Sequence, residues 1–268
     1  MACPECFTGS LHEGNPRGEV IKLHGLDVYA VEPAEGKTAK GIIVMIPDAL
    51  GWEFPNCRLL ADRYCDKGDF KVYVPDFMHG TAAPTWMLDE VGLALGSGNI
   101  LFHMVKALYG FVPFILQNYT NKSWPIVKSF FEQLRQAEQT LPIGAAGFCW
   151  GGKHAVLLAQ GAEVDGKPLI NAAFSGHPSF LDLPSDVEKI TLPMSFAIGD
   201  KDNQVPLEKA KDVKAIVEAK EGSAKGEVRI YEDATHGFTL RAALEMENVA
   251  QKAAEAEVQA IDWFTKHF

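Results

Sequence analysis

The stretch IGAAGFCWGGKHAVLLAQ, residues 143 to 160, constrains the fold more than any other part of the chain. Its first five residues are small and apolar and read as a strand. Residues 151–161 have helical spacing. Between them stands Gly147-Phe148-Cys149-Trp150-Gly151. A backbone that passes from strand to helix in so few residues crowds upon itself, and glycine at 147 and 151 removes side chains where it does. Cys149 then lies at the tip of the turn, beside a helix N-terminus whose dipole and free N–H groups favour a thiolate. A lone cysteine is more often a small buried apolar residue, so the rest of the chain has to supply partners for it.

The surrounding pattern repeats the strand–helix alternation. GEVIKLHG and DVYAVEP read as a leading hairpin around Gly25. GIIVMIP (41–47) is a continuous apolar run, as expected of a strand covered on both faces. CRLLADRYCDKG (57–68) has helical spacing and stops at Gly68. KVYVPD, INAAFSG, MSFAIGD and VRIYED are further strands, PLEKAKDVKAIVEAK is a helix, and 240–268 reads as one long helix anchored by Ile261, Trp263 and Phe264. Such alternation implies an α/β fold with a mostly parallel sheet flanked by helices. No repeat or low-complexity linker divides the 268 residues, so a single domain over 1–268 is expected.

One segment breaks the rhythm. Residues 79–123 are rich in Gly, Met, Phe and Tyr and too long for a simple loop. They read as a helical insertion over the C-terminal edge of the sheet. It either lines a pocket as a lid or packs as an added core helix, and apolar periodicity alone does not separate the two.

Charge and cysteine usage exclude several classes. The formal net charge of −10 and the absence of a basic block argue against a nucleic-acid partner. No run of 18 uncharged apolar residues suggests a membrane span. The N-terminal residues lack a basic start followed by an apolar region, so a cytoplasmic protein is expected. Five cysteines, an odd number, fit free thiols in a reducing compartment. Cys3 and Cys6 form a C-x-x-C pair, but no second pair or nearby histidine completes a metal site, and no metal or cofactor is expected.

Partners for Cys149 follow in a consistent order. GDKDNQVP, after one strand, offers Asp200 and Asp202; ATHGF, after the next, offers His236. Each lies just past the C-terminal end of a strand, where functional groups converge in open α/β sheets. Cysteine, aspartate and histidine in that order along the chain can form a nucleophile, the group that orients the base, and the base. The backbone N–H of Trp150 and an N–H from the loop after GIIVMIP, at Ala49, would form the oxyanion hole. Trp52, His79, Trp86 and His177 are candidates to touch substrate, although packing or turn roles suit each of them too.

The segments GFCWGGKHA, GDKDNQVP, ATHGF, MIPDALGW, VYVPDF and SGHPSF, with the opening FTGSLHEGNPRGEVIKLHGLDVYAVEP, resemble the dienelactone hydrolase (carboxymethylenebutenolidase) family of the α/β-hydrolase superfamily, in its fungal branch. The resemblance covers nearly the whole chain. It implies Cys149 as nucleophile, Asp202 as the triad acid, and His236 as base. Asp48 falls where the family has a glutamate that meets the resting cysteine, one methylene longer. Arg241 matches an arginine that holds a substrate carboxylate. The resemblance implies a cysteine hydrolase of small-molecule esters or lactones, acting as monomer or homodimer without a cofactor. With the apolar insertion, an aromatic or polyketide-like substrate is expected. The other readings are a tailoring enzyme that runs cyclisation or carbon–carbon chemistry on the same site, and a ligand-binding homologue without catalysis.

Overall fold

A computed structural model of the protein describes residues 9–88, 90 and 100–268, apart from the side chains of residues 100–102, 104, 107 and 108. Cys3 and Cys6, and most of 89–99 in the insertion, lie outside the described residues. The strands are β1 (Glu19–Leu23), β2 (Leu26–Val31), β3 (Ile42–Ile46), β4 (Lys71–Pro75), β5 (Ile143–Phe148), β6 (Glu163–Val164), β7 (Lys167–Pro168), β8 (Ala172–Gly176), β9 (Met194–Gly199) and β10 (Glu227–Tyr231). The α-helices are α1 (Pro55–Gly68), α2 (Ile100–Asn118), α3 (Thr120–Ala137), α4 (Trp150–Ala159), α5 (Ser185–Glu188), α6 (Leu207–Glu218) and α7 (Glu247–His267).

Eight strands form one sheet in the order β1-β2-β4-β3-β5-β8-β9-β10, and β6 with β7 makes a separate small hairpin. The leading hairpin turns at His24 and Gly25, both with positive φ, as the tight turn between Leu23 and Leu26 requires. β1 and β2 run antiparallel to their neighbours, and every pairing from β4 to β10 is parallel. β3, β5, β8 and β9 are buried along their whole length. This explains their unbroken apolar sequences, since a parallel sheet is covered by helices on both faces.

α1 and α7 pack on one another, and α7 lies on β8 and β9; α4 lies along β5 and β8, with α3 against it. Gln259 of α7 donates to the Ser195 hydroxyl and the Phe196 carbonyl, at 2.9 and 3.0 Å. Phe264, fully buried, fills the space that Gly144 of β5 leaves open.

Two boundaries differ from the sequence expectation. The C-terminal helix starts at Glu247, not near 240. The carbonyls of Leu240, Arg241 and Ala242 are taken by Asn56 Nδ2, the Ser10 N–H and the His12 ring, so they cannot serve as acceptors in a helical ladder. The last residues assigned to the insertion, from Thr120, belong to α3, which continues to Ala137 and buries Val127, Phe130, Phe131 and Leu134 on one face.

Replacing Phe264 by Ala removes the ring that seats α7 on the sheet. The expected cost is about 3–5 kcal/mol, read as a lower urea midpoint with an unchanged denaturant slope.

Candidate active site

Five neighbouring parallel strands, β3, β5, β8, β9 and β10, end on the same side of the sheet, and each is followed by a residue of the site. Asp48 and Ala49 follow β3, Cys149 follows β5, His177 and Ser179 follow β8, Asp202 follows β9, and His236 follows β10. The convergence is a consequence of parallel pairing: the loops leaving the C-terminal ends face one crevice.

Cys149 has φ 51 and ψ −110, a backbone conformation that a side chain disfavours. The turn is held by close backbone contact. A Cβ at Gly151 would stand 2.0 Å from the Ile46 carbonyl oxygen, and one at Gly147 would stand 2.2 Å from the carbonyl of Gly151. The Gly151 N–H donates to the Pro47 carbonyl at 3.2 Å, and the Cys149 N–H to that of Gly176 at 3.2 Å. The cysteine is thus tied to the loop after β3 and to the end of β8. The N–H groups of Ala49 and Trp150, the two expected oxyanion donors, have no hydrogen-bond partner among the described residues.

His236 Nδ1 meets Asp202 Oδ2 at 2.9 Å, and Asp202 Oδ1 accepts the Gln204 N–H at 2.8 Å. The imidazole therefore pairs with Asp202 and not with Asp200. Both partners have fully buried side chains. Burial alone would push His236 down. The negative charge of Cys149 and hydrogen bonds from Asp202 and Cys149 outweigh it and raise the imidazole to about 10. The imidazole thus holds its proton beside the buried Cys149 sulfur and the Asp202 carboxylate, surroundings that favour a thiolate.

Ser179 was not among the expected site residues. Its hydroxyl lies 3.3 Å from Cys149 Sγ and 3.3 Å from His236 Nε2, and its N–H donates to the Cys149 carbonyl at 2.9 Å. The segment SGHPSF drew notice for its histidine, and nothing local marks the serine two residues later.

Asp48, which stands where the family has the longer glutamate, is tied to its own loop and to Arg241. Oδ1 accepts the Leu50 N–H at 2.9 Å, and Oδ2 receives Arg241 Nη1. Burial pushes the Asp48 carboxyl up, Arg241 pulls it down, and the nearby charge of Cys149 adds to the rise. Arg241 is buried against Asp48, so the guanidinium expected on a substrate carboxylate is engaged inside the protein.

The remaining expected contacts divide. His177 is fully buried, with Nδ1 2.6 Å from Thr239 Oγ1 and its ring edge-on to His236 at 4.9 Å. Burial, and then the charges of His236 and Arg241, hold it well below the usual histidine range, so it is neutral. Its Nε2 has no hydrogen-bond partner among the described residues. Trp52 is packed beneath the Arg58 guanidinium, 4.6 Å from its ring centre. His79 stands exposed on a turn. Trp86 packs on α2, where a Cβ at Gly110 would come within 2.7 Å of its ring; Gly110 is thus a close-packing position and not a hinge.

α2 meets the site at its C-terminal end. The Trp150 indole N–H donates to the Asn118 carbonyl at 2.6 Å, and its ring packs on Phe114, 6.4 Å away. His154, neutral because burial pushes it down to about 4, is bonded to Ser123 Oγ at 2.8 Å. Phe111, Phe114 and Met87 are buried in the core and do not line a described cavity, whereas Tyr109 is 80% exposed. A cleft of about 560 Å³ does reach His236, but from the side of the 233–252 segment, with Phe238, Arg241, Met246 and Lys252 in its wall. Cys149 is 1% exposed. Among the described residues no group of three or more His, Cys, Asp or Glu is disposed to hold a metal ion, and no helix is long and apolar enough to cross a membrane.

Comparison with known proteins gives the family and the fold. The model of the dienelactone hydrolase family matches residues 26–268. Hydrolase tropI of Talaromyces stipitatus is 29% identical over 98% of this chain and 95% of its own length. Hydrolase pyvD of Aspergillus violaceofuscus is 26% identical over 98% of this chain and 95% of its own. Among solved structures, a putative dienelactone hydrolase from Klebsiella pneumoniae superposes with a TM-score of 0.62 at 17% identity, covering 90% of this chain and 93% of its own. A thermophilic esterase from Thermogutta terrifontis gives 0.61 at 18% identity over 92% and 94%. Both share the α/β architecture.

The electrostatics can be read directly. In the intact protein the His236 ring nitrogens should keep imidazolium chemical shifts in NMR spectra up to about pH 10, where the second ring proton leaves. In Cys149→Ala the largest raising influence is gone, burial takes over, and the same ring should lose its proton at a lower pH.

Proposed function

The chain belongs to the dienelactone hydrolase family, enzymes of ester or lactone bonds, and from that premise we propose that it is a cofactor-free cysteine hydrolase in which Cys149 is the nucleophile, His236 the base and acid, and Asp202 the group that orients His236. The observation that carries the reading is the buried line Cys149–His236–Asp202 at the ends of β5, β10 and β9.

The chemistry runs in two halves. The Cys149 thiolate adds to the substrate carbonyl carbon, and the Ala49 and Trp150 N–H groups hold the resulting oxyanion. As the tetrahedral adduct collapses, the imidazolium of His236 gives its proton to the leaving oxygen, and a thioester remains on Cys149. Neutral His236 then takes a proton from water as the water adds to the thioester carbonyl, and the acid departs as the sulfur is restored. Asp202 keeps Nε2 facing the reaction through its bond to Nδ1.

The buried cysteine implies that substrate enters by displacing part of the cover around Trp150. The apolar composition of residues 79–123, and the engagement of Arg241 by Asp48, favour an aromatic or polyketide-like acyl or aryl group over a small dicarboxylate. The neutral His177, with a buried free Nε2, suits a substrate hydroxyl or carbonyl. A cytoplasmic monomer or homodimer remains the expectation from the sequence.

Cys149→Ala should abolish hydrolysis of aryl esters and lactones. His236→Ala should follow closely, and Asp202→Asn should retain more, at a loss of about 10²–10⁴ in kcat, because only orientation and charge are disturbed. Steady-state rates on an ester panel, with circular dichroism to confirm folding, provide the check. Wild-type turnover in Cys149→Ala would reject the reading.

A further inference from the structure

We infer that the Ser179 hydroxyl bridges Cys149 and His236 and carries the proton between them. The inference rests on Cys149 being the nucleophile. Three observations carry it. The hydroxyl is equidistant, at 3.3 Å, from the sulfur and from the imidazole Nε2. It is fully buried, so no bulk water competes for either contact. Its position is imposed by the backbone: His177 and Phe180 on either side both have positive φ, and the His177 and Ser179 N–H groups are fixed on the carbonyls of Ala197 and Cys149. A turn strained at two non-glycine residues is maintained by its surroundings, and its outcome is a hydroxyl aimed between the two reacting groups.

A serine hydroxyl is both donor and acceptor. With a neutral pair, Cys149 S–H donates to Oγ and the hydroxyl donates to Nε2. When the sulfur's proton moves to Oγ and the hydroxyl's own proton moves to Nε2, one S–H bond has broken, one N–H bond has formed, and the hydroxyl is whole again. In the resulting state the imidazolium donates to Oγ and Oγ–H donates to the thiolate. Hydrogen bonds to an ionised acceptor are the stronger ones, so the hydroxyl favours the charged state. It works beside the direct Cys149–His236 contact and does not replace it.

Other charges face the same pair and bound the effect. Asp202 holds His236 from behind, Asp48 after β3 opposes the negative sulfur, and Arg241 offsets Asp48. His177 after β8 is neutral, and Lys153 of α4 is paired with Asp186. None of these supplies a hydroxyl between Sγ and Nε2.

The test is the rate of Cys149 alkylation by iodoacetamide as a function of pH, read by peptide mapping, in the wild type and in Ser179→Ala. The substitution removes one atom from a buried site and keeps the backbone N–H that bonds Cys149. The acid midpoint of the profile should rise by about one pH unit, equivalent to a tenfold lower thiolate fraction on the acid limb. Hydrolysis of a test ester should lose kcat with KM retained. As a second readout, the NMR titration of the His236 ring should move to lower pH. Superimposable alkylation profiles and an unmoved His236 titration would overturn the inference, even if turnover fell. Alkylation reports on the thiol whether or not it turns over substrate, so wild-type turnover in Cys149→Ala would separately count against the nucleophile assignment.

Discussion

The position of one backbone, that of Cys149, sets the terms for everything around it. A non-glycine residue at φ 51 in a buried turn is tolerated only if its neighbours hold it there. The holding is done by contacts between backbones. Gly151 lies against the end of β3, Gly147 lies against Gly151, and the Cys149 amide and carbonyl are spoken for by Gly176 and by Gly152 and Ser179. These contacts join the ends of β3, β5 and β8 in one arrangement. They leave the sulfur at the start of α4, in the turn between β5 and the helix. The parallel order of the sheet then brings Asp202 and His236 alongside.

Charge is the second layer. The crevice holds Asp48, Arg241, Asp202 and His236 with almost no exposure to water, beside the buried Cys149 sulfur. Buried charges are tolerated when they are paired and hydrogen-bonded. Here they sort into an internal ion pair, Asp48 with Arg241, and a chain from Cys149 through His236 to Asp202. His177 sits against His236 and is kept neutral by burial and by these positive neighbours, which avoids a second cation in the crevice. Two histidines in edge contact thus carry different charges, because one faces the Cys149 sulfur and a carboxylate and the other a threonine hydroxyl.

Much of this was legible in the sequence, and the limits have physical causes. The strands show as unbroken apolar runs because the sheet is buried on both faces. Cys149, Asp202 and His236 stand out because each follows a strand in a loop of glycine, proline and small polar residues. The choice of Asp202 over Asp200 came from resemblance; in the structure the His236 ring meets the Asp202 carboxylate. Ser179 was missed because its importance depends on a turn whose backbone strain leaves no local mark. The Asp48–Arg241 pair was missed because its partners are far apart in the chain. The early start assigned to the C-terminal helix failed because Asn56, Ser10 and His12 capture the carbonyls that the helix would have used. The apolar periodicity of the insertion did not reveal that Phe111 stacks on Phe114 and Phe114 packs on Trp150, while Trp86 lies against Gly110.

The central claim, that the sulfur of Cys149 takes the acyl group, is tested most directly by trapping the intermediate. The protein is mixed with an aryl ester that deacylates slowly, quenched in acid within seconds, digested and mapped by mass spectrometry. The account predicts an acyl mass increment on the peptide containing Cys149, formed at the rate of the first release of the phenol and cleaved by hydroxylamine as a thioester. An increment on Ser179 or another residue, or full turnover with no acylated peptide at any time, would contradict it.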